Sequence, residues 1–140
     1  MLVRMVYAST AVAPVNGELL ESILKVARNR NEVRDLTGML VFDHQYFLQV
    51  IEGGREAVSL LLGKLFADTR HKDVRLLELD EITQRSFADW SMEFVPAAAI
   101  NKTVLLRNGV SSHFDPHSLS KAGALHVLTE MRAVRQSQAK

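Results

Sequence analysis

Residues 36–54 read LTGMLVFDHQYFLQVIEGG, and how this stretch folds decides the architecture. Leu36–Phe42 and Tyr46–Ile51 are two short runs of strand-forming residues on either side of Asp43-His44-Gln45, a polar link whose length suits a β-hairpin. In the second run Phe47, Gln49 and Ile51 point to one face, and Leu48, Val50 and Glu52 to the other. Gln49 thus puts a primary amide between two apolar neighbours. Burying that amide without partners costs about 1 to 3 kcal/mol. It either faces water on an edge strand or has partners.

Working outward from the hairpin, residues 2–8 (LVRMVYA) form a first strand, ended by the turn region around Pro14-Val15-Asn16-Gly17. Asn16 is placed to cap a helix whose Leu19, Leu20, Ile23, Leu24 and Ala27 recur at helical spacing and which frays over residues 28–31. After Gly53-Gly54, Val58, Leu61, Leu62, Leu65 and Phe66 mark a second helix over Arg55–Ala67. Strands follow at Val74–Leu79 and Ser91–Val95. The order βαββαββ predicts an α+β fold, a ferredoxin-like sandwich with a mixed five-stranded sheet and two helices on one face.

Past Pro96 the chain changes character. Ala97-Ala98-Ala99 reads as a hinge, and Asp115-Pro116 opens a helix from about His117 to Arg135, with Leu119, Ala122, Leu125, Val127, Leu128 and Met131 as its apolar face. Residues 136–140 are expected to fray. The division is therefore 1–96 as the main domain and 97–140 as a C-terminal helical extension, which either caps the bare sheet face or couples to a partner.

The 140 residues, 47% hydrophobic and 24% charged, suit one globular domain with a core. Seventeen Lys plus Arg against 16 Asp plus Glu leave a net charge of +1, so no strong field recruits nucleic acid or an anionic membrane. The absence of cysteine excludes a disulfide framework, a thiolate metal site and a thiol nucleophile. MLVRMVYAST lacks the apolar core of a signal peptide, and no apolar run nears the roughly 18 residues of a membrane span. A cytoplasmic protein is expected. Only His113 and His117 among the histidines have i, i+4 spacing, and Pro116 breaks the helix that would join them, so no metal site is expected. There is no nucleophile elbow, phosphate loop or HExxH pattern.

Three polar positions stand out. Tyr7 and Ser9 point to the same face as Val3 and Met5, and Tyr7 taken alone is a packed core tyrosine. Asn31, taken alone, is a C-terminal helix cap. Gln49 is the third. If the two helix-flanked strands are central neighbours, Tyr7 and Gln49 approach each other, and a phenol, two amides and a helix pair surround one pocket. Farther on, Trp90 and Met92 in SFADWSMEFV (86–95) are two apart and are expected to face one way on a strand, as core filling or as part of a site.

Together these blocks resemble the BLUF family, blue-light sensors using flavin adenine dinucleotide (FAD). The resemblance runs through VYAST, RNRNEVRDLTGML, YFLQVIEGGRE, ADTRHKDV and FADWSMEFV, from residue 2 to about 95, in order. It departs at Thr69 and Gly54, where proline is frequent in the family; neither change removes a reactive group, though loop rigidity can differ.

The resemblance implies a non-covalently bound flavin, FAD with FMN or riboflavin as substitutes, standing between the two helices. Tyr7 matches the photoactive tyrosine, Gln49 the switching glutamine, and Asn31 the asparagine that hydrogen-bonds the flavin ring. Trp90 and Met92 match the pair on the last strand, and Arg70 and His71 a loop close to the cofactor. It further implies that light moves an electron and proton from Tyr7 to flavin and that the Gln49 amide rotates or tautomerises. A hydrogen bond is gained at the flavin carbonyl next to N5, and absorption shifts to the red.

The expected function is thus a blue-light photoreceptor with no enzymatic turnover. The roughly 45 residues beyond the resemblance are too few for a cyclase or phosphodiesterase domain. Output is expected to reach a separate effector protein through the last strand and C-terminal helices, or to pass through a homo-oligomer. Two other readings stay open at this point. A small acylphosphatase-type hydrolase needs an anion-binding loop that the sequence lacks before its first helix. An RNA-binding module needs paired exposed aromatics and a basic sheet surface.

Overall fold

The computed structural model describes residues 1–138. Its elements are β1 (Leu2–Ala11), α1 (Gly17–Val33), β2 (Thr37–Phe42), β3 (Tyr46–Gly54), α2 (Arg55–Ala67), β4 (His71–Ile82), β5 (Glu93–Pro96), α3 (Lys102–Asn108) and α4 (Lys121–Gln138), with 3-10 turns at Ala97–Ala99 and Pro116–Ser118. The strands form one sheet in the order β4-β1-β3-β2-β5, the ferredoxin-like arrangement with one added strand. Every pairing is antiparallel except that of β5 with β2.

Local chemistry sets the boundaries. Asn16 accepts a 2.8 Å hydrogen bond from Leu19 N and starts α1. Asp43 accepts from the amides of Gln45 and Tyr46 at 3.0 and 2.7 Å, and His44 takes φ 75° in the hairpin turn. Gly38 lets β2 close on β3, since a Cβ there would lie 2.0 Å from Val50 O.

Both faces of the sheet are covered. Val3, Met5, Tyr7, Leu40, Phe47 and Ile51 pack with Leu24 of α1 and with Val58 and Leu61 of α2. Val6, Met39, Val41, Leu48 and Val50, from the other face, pack with Val104 and Leu105 of α3 and with Val127, Leu128 and Met131 of α4. A buried ion cluster lies beside this second core. Arg4 reaches Glu52 at 3.3 Å and Glu78 at 3.0 Å. The Glu52 carboxylate also accepts from the amides of Ser86 at 2.9 Å and Phe87 at 2.6 Å.

The elements depart from the expectations in several places. α1 does not fray at residues 28–31 but runs on to Val33, because Asn31 is buried and bonded rather than capping the end. β4 begins at His71 and ends at Ile82, longer than expected, because its ladder with β1 extends from Ala11↔His71 to Leu2↔Ile82. Asp115-Pro116 opens only the 3-10 turn, where Asp115 accepts from His117 N at 3.1 Å. The long helix starts later, at Lys121, with Ser120 Oγ accepting from Gly123 N at 3.0 Å. Its face is Gly123, Ala124, Val127, Leu128 and Met131, whereas Ala122 is exposed. The alanine run folds as a 3-10 turn with Ala97 buried. Of the tail expected to fray, 136–138 close α4 and 139–140 lie outside the described residues.

Candidate functional site

Tyr7 and Gln49 are paired across the β1–β3 ladder, on the face under α1 and α2. Both are buried, at 3% and 6% exposure. The Tyr7 hydroxyl donates a hydrogen bond to Gln49 Oε1, and Gln49 Nε2 donates to Met92 Sδ at 3.3 Å. Burial raises the phenol's pKa, an effect that outweighs the opposing pull of the Arg30 guanidinium. Tyr7 therefore holds its proton firmly.

These three side chains form the floor of a cleft of about 800 Å³, counting the part open to solvent. Ile23, Ala27 and Arg30 of α1 form one wall, and Leu65 and Asp68 at the end of α2 contribute to the other side. Arg30 is half-buried, and desolvation lowers its pKa. Arg70 also lines the cleft and holds Asp68 through Nε at 3.0 Å and Nη2 at 2.7 Å. That pairing lowers the Asp68 pKa to about 2 and raises that of Arg70. His71 is tied at both ring nitrogens, to Ser9 Oγ at 2.9 Å and to Leu65 O at 2.5 Å, and presents its edge to Tyr7.

The structure thus brings Tyr7, Gln49, Met92, Arg70 and His71 to one cleft and leaves two expected residues outside it. Asn31 is fully buried, yet it lines a neighbouring depression on the far side of Met92. Its Nδ2 donates to Ser91 O at 2.7 Å, and its Oδ1 accepts from Arg30 Nε at 3.2 Å. One amide hydrogen and one acceptor site of Asn31 are left for another partner. Trp90 and Met92 do not face one way. Both precede β5, in an irregular segment without strand alternation. Met92 enters the core beneath α1 and α2, whereas Trp90 packs against the core beneath α3 and α4.

Sequence reasoning passed over Arg30 and Arg28. Arg28 donates through Nε to Met92 O at 2.9 Å. Both look like ordinary charges on the solvent side of an amphipathic helix. Only the fold shows that this side overhangs the cleft and the segment leading into β5.

The cleft combines apolar walls, a hydrogen-bonding floor and two guanidinium groups, Arg30 and Arg70, at its sides. A flat heteroaromatic ring with polar edges and an anionic tail fits that set. Among the described residues no group of three or more His, Asp or Glu is placed to hold a metal, and no helix is long and apolar enough to cross a membrane.

Comparison with known proteins gives this cleft its context. Residues 2–93 match the family model for sensors of blue-light using FAD. Over 92 residues the chain is 34% identical to photoactivated adenylate cyclase subunit beta of Euglena gracilis, a match covering 64% of this chain but 11% of that protein. It is 30% identical over 93 residues to the blue light- and temperature-regulated antirepressor BluF of Escherichia coli, covering 66% of this chain and 23% of that one. The chain therefore spans only a small part of these curated relatives. Among solved structures, BlsA in its photo-activated state superposes with a TM-score of 0.79 at 30% identity, covering 93% of this chain and 94% of BlsA. The dark-state structure of BlrB gives 0.74 at 27% identity, with 93% and 96% covered. The match takes in the cleft, the first four strands and the start of β5, and on it the chain belongs to the BLUF family, whose members sense blue light with FAD.

Proposed function

We propose that this chain is a blue-light photoreceptor whose switch is the relay Tyr7–Gln49–Met92. FAD, when bound, supplies the absorption of blue light and, once excited, one-electron oxidising power. The rest is the work of the chain's own groups. A phenol is among the few side chains that yield an electron together with a proton, and the Tyr7 proton already points along its hydrogen bond to Gln49 Oε1. Its raised pKa keeps Tyr7 protonated until that moment. Gln49 has an acceptor end and a donor end, each committed to a different partner, so rotation or tautomerisation of its amide changes both contacts together. Met92 then reports the change to the segment leading into β5. Return of the electron and proton restores Tyr7, with no net turnover.

Arg30 and Arg70 are the groups suited to the anionic part of the cofactor, and His71 orients the Ser9 side of the floor. Asn31 reaches a flavin ring edge only with the hydrogen-bonding capacity that Ser91 and Arg30 leave free. The site calls for no enzymatic step. We assign output to a separate effector protein in the cytoplasm, met through 97–138, and self-association to surfaces such as Leu76 and Leu79, exposed on the edge strand β4.

The observation that carries this reading is the unbroken contact from Tyr7 through Gln49 to Met92 at the base of the cleft. Its test is optical. The purified protein loaded with FAD is expected to shift its absorption to the red under blue light and revert in the dark, while Gln49→Leu binds FAD without the shift. Failure to bind any flavin, or a full reversible shift in Gln49→Leu, overturns the assignment.

A further inference from the structure

Met92 is the one member of the relay not positioned by the sheet. Tyr7 and Gln49 are locked by the β1–β3 ladder, whereas β5 pairs with β2 only from Glu93 onward. The last main-chain anchor before that pairing is Gly38 N donating to Trp90 O at 3.0 Å. Between those points the carbonyls of Ser91 and Met92 are held by side chains of α1. Asn31 Nδ2 donates to Ser91 O at 2.7 Å, and Arg28 Nε donates to Met92 O at 2.9 Å. Residues 28 and 31 are one turn apart and so share a helix face.

We infer that Arg28 is a positioning residue of the light switch, holding the Met92 main chain so that Sδ stays in reach of Gln49 Nε2. Arg28 lies outside the cleft. It lines the depression on the far side of Met92 and a second one beside Glu93 and Phe94, and acts on the relay only through the Met92 carbonyl. The charge-assisted bond fixes the peptide of an otherwise irregular segment, and with it the direction in which the Met92 side chain leaves the backbone. Without Arg28 the carbonyl turns to water and Sδ loses its fixed place. One of the two contacts that set the Gln49 amide orientation is thereby weakened. Asn31 takes a different place: its Nδ2 holds the preceding carbonyl, Ser91 O, and the bond to Met92 O comes from Arg28.

This inference rests on the proposed switch, and its test separates the two. Arg28 is an exposed residue, so Arg28→Ala is expected to fold and to bind FAD. In flavin-free protein labelled at the methionine methyls, the Met92 resonance is expected to move and broaden in Arg28→Ala and to return in Arg28→Lys, which keeps a cationic donor group. In the FAD-loaded protein the dark recovery rate should change about fivefold in Arg28→Ala, the scale of one lost hydrogen bond, with Arg28→Lys restoring most of it. In a Met92→Leu background, Arg28→Ala should leave the rate unchanged. An unmoved Met92 methyl, or an undiminished Arg28→Ala effect in Met92→Leu, overturns the role of Arg28 and leaves the photoreceptor standing. Loss of the red shift in the wild type overturns the photoreceptor, and the methyl spectrum of flavin-free protein still reads the Arg28–Met92 link.

Discussion

Tyr7 and Gln49 stand opposite each other in the β1–β3 ladder, with the phenol donating to the amide oxygen while the amide nitrogen is engaged by Met92. Tyr7→Phe keeps the ring and removes the donor. FAD is expected to remain bound and the red shift to vanish. Gln49 Oε1 is left buried without its partner, which lowers stability by about 1 to 3 kcal/mol. Difference spectra and urea titration of the same preparation read both effects.

The same phenol makes the fold sensitive to base. Its pKa is raised from the ordinary 10.0 mainly by burial, so folded and unfolded chains bind the proton equally below that pH. Above it the unfolded chain releases the proton first, and stability falls until the folded phenol also ionises. Between about pH 9 and 11, Tyr7→Phe should therefore lose less stability than the wild type in parallel thermal melts.

At the acid end the relevant pair is Asp68 with Arg70. The hydrogen bond from Arg70 lowers the Asp68 pKa from 3.8 to about 2, so the stabilisation is complete above 3.8 and fades as pH drops toward 2. The pair is largely solvated, which keeps the effect on stability small. Ligand affinity is the sharper readout. Asp68→Asn frees the Arg70 guanidinium beside the cleft, and FAD should gain affinity relative to riboflavin, by an amount that shrinks with added salt. Paired fluorescence titrations at two ionic strengths measure it.

Glu52 is fully buried and shared by Arg4 and the amides of Ser86 and Phe87. Glu52→Ala leaves Arg4 paired with Glu78 alone and strands the amides of Ser86 and Phe87, and the expected loss is about 3 kcal/mol. Because Glu52 ties down the segment that continues to Met92, hydrogen exchange at residues 86–92 should rise more than elsewhere.

Gly38→Ala tests the strand spacing. The added Cβ would lie 2.0 Å from a main-chain oxygen that cannot rotate away, so β2 must part from β3. A loss of about 3 kcal/mol is expected, together with faster dark recovery as Trp90 O loses the grip of Gly38 N.

Much of this site is visible in the sequence because its floor is built from period-two strands. Alternation alone puts Gln49 on the same face as Phe47 and Ile51, and the βαββαββ order makes Tyr7 its neighbour. Where regularity ends, so does that reading. Trp90 and Met92 lie in an irregular approach to β5, so two-residue spacing says nothing about their faces, and they enter different cores. Asn31 reads as a cap because amides often end helices, and only its tertiary partner, Ser91 O, explains why it is buried one turn inside α1. Arg28 and Arg30 carry no local signal, since the partner of Arg28 is 64 residues away along the chain and the place of Arg30 at the cleft comes from how α1 packs on the sheet.

The sheet, helix-covered on both sides, acts as a partition one backbone thick. Gln49 looks toward α1 and α2 while its chain neighbours Leu48 and Val50 look toward α3 and α4. Among the described residues the central strands β1, β3 and β2 present no open platform for an RNA strand to stack on. The surfaces left exposed are the outer helices and the rim formed by β4 and β5. The path from the buried amide to the outer surface crosses little more than the one helix packed over it, about 10–12 Å across.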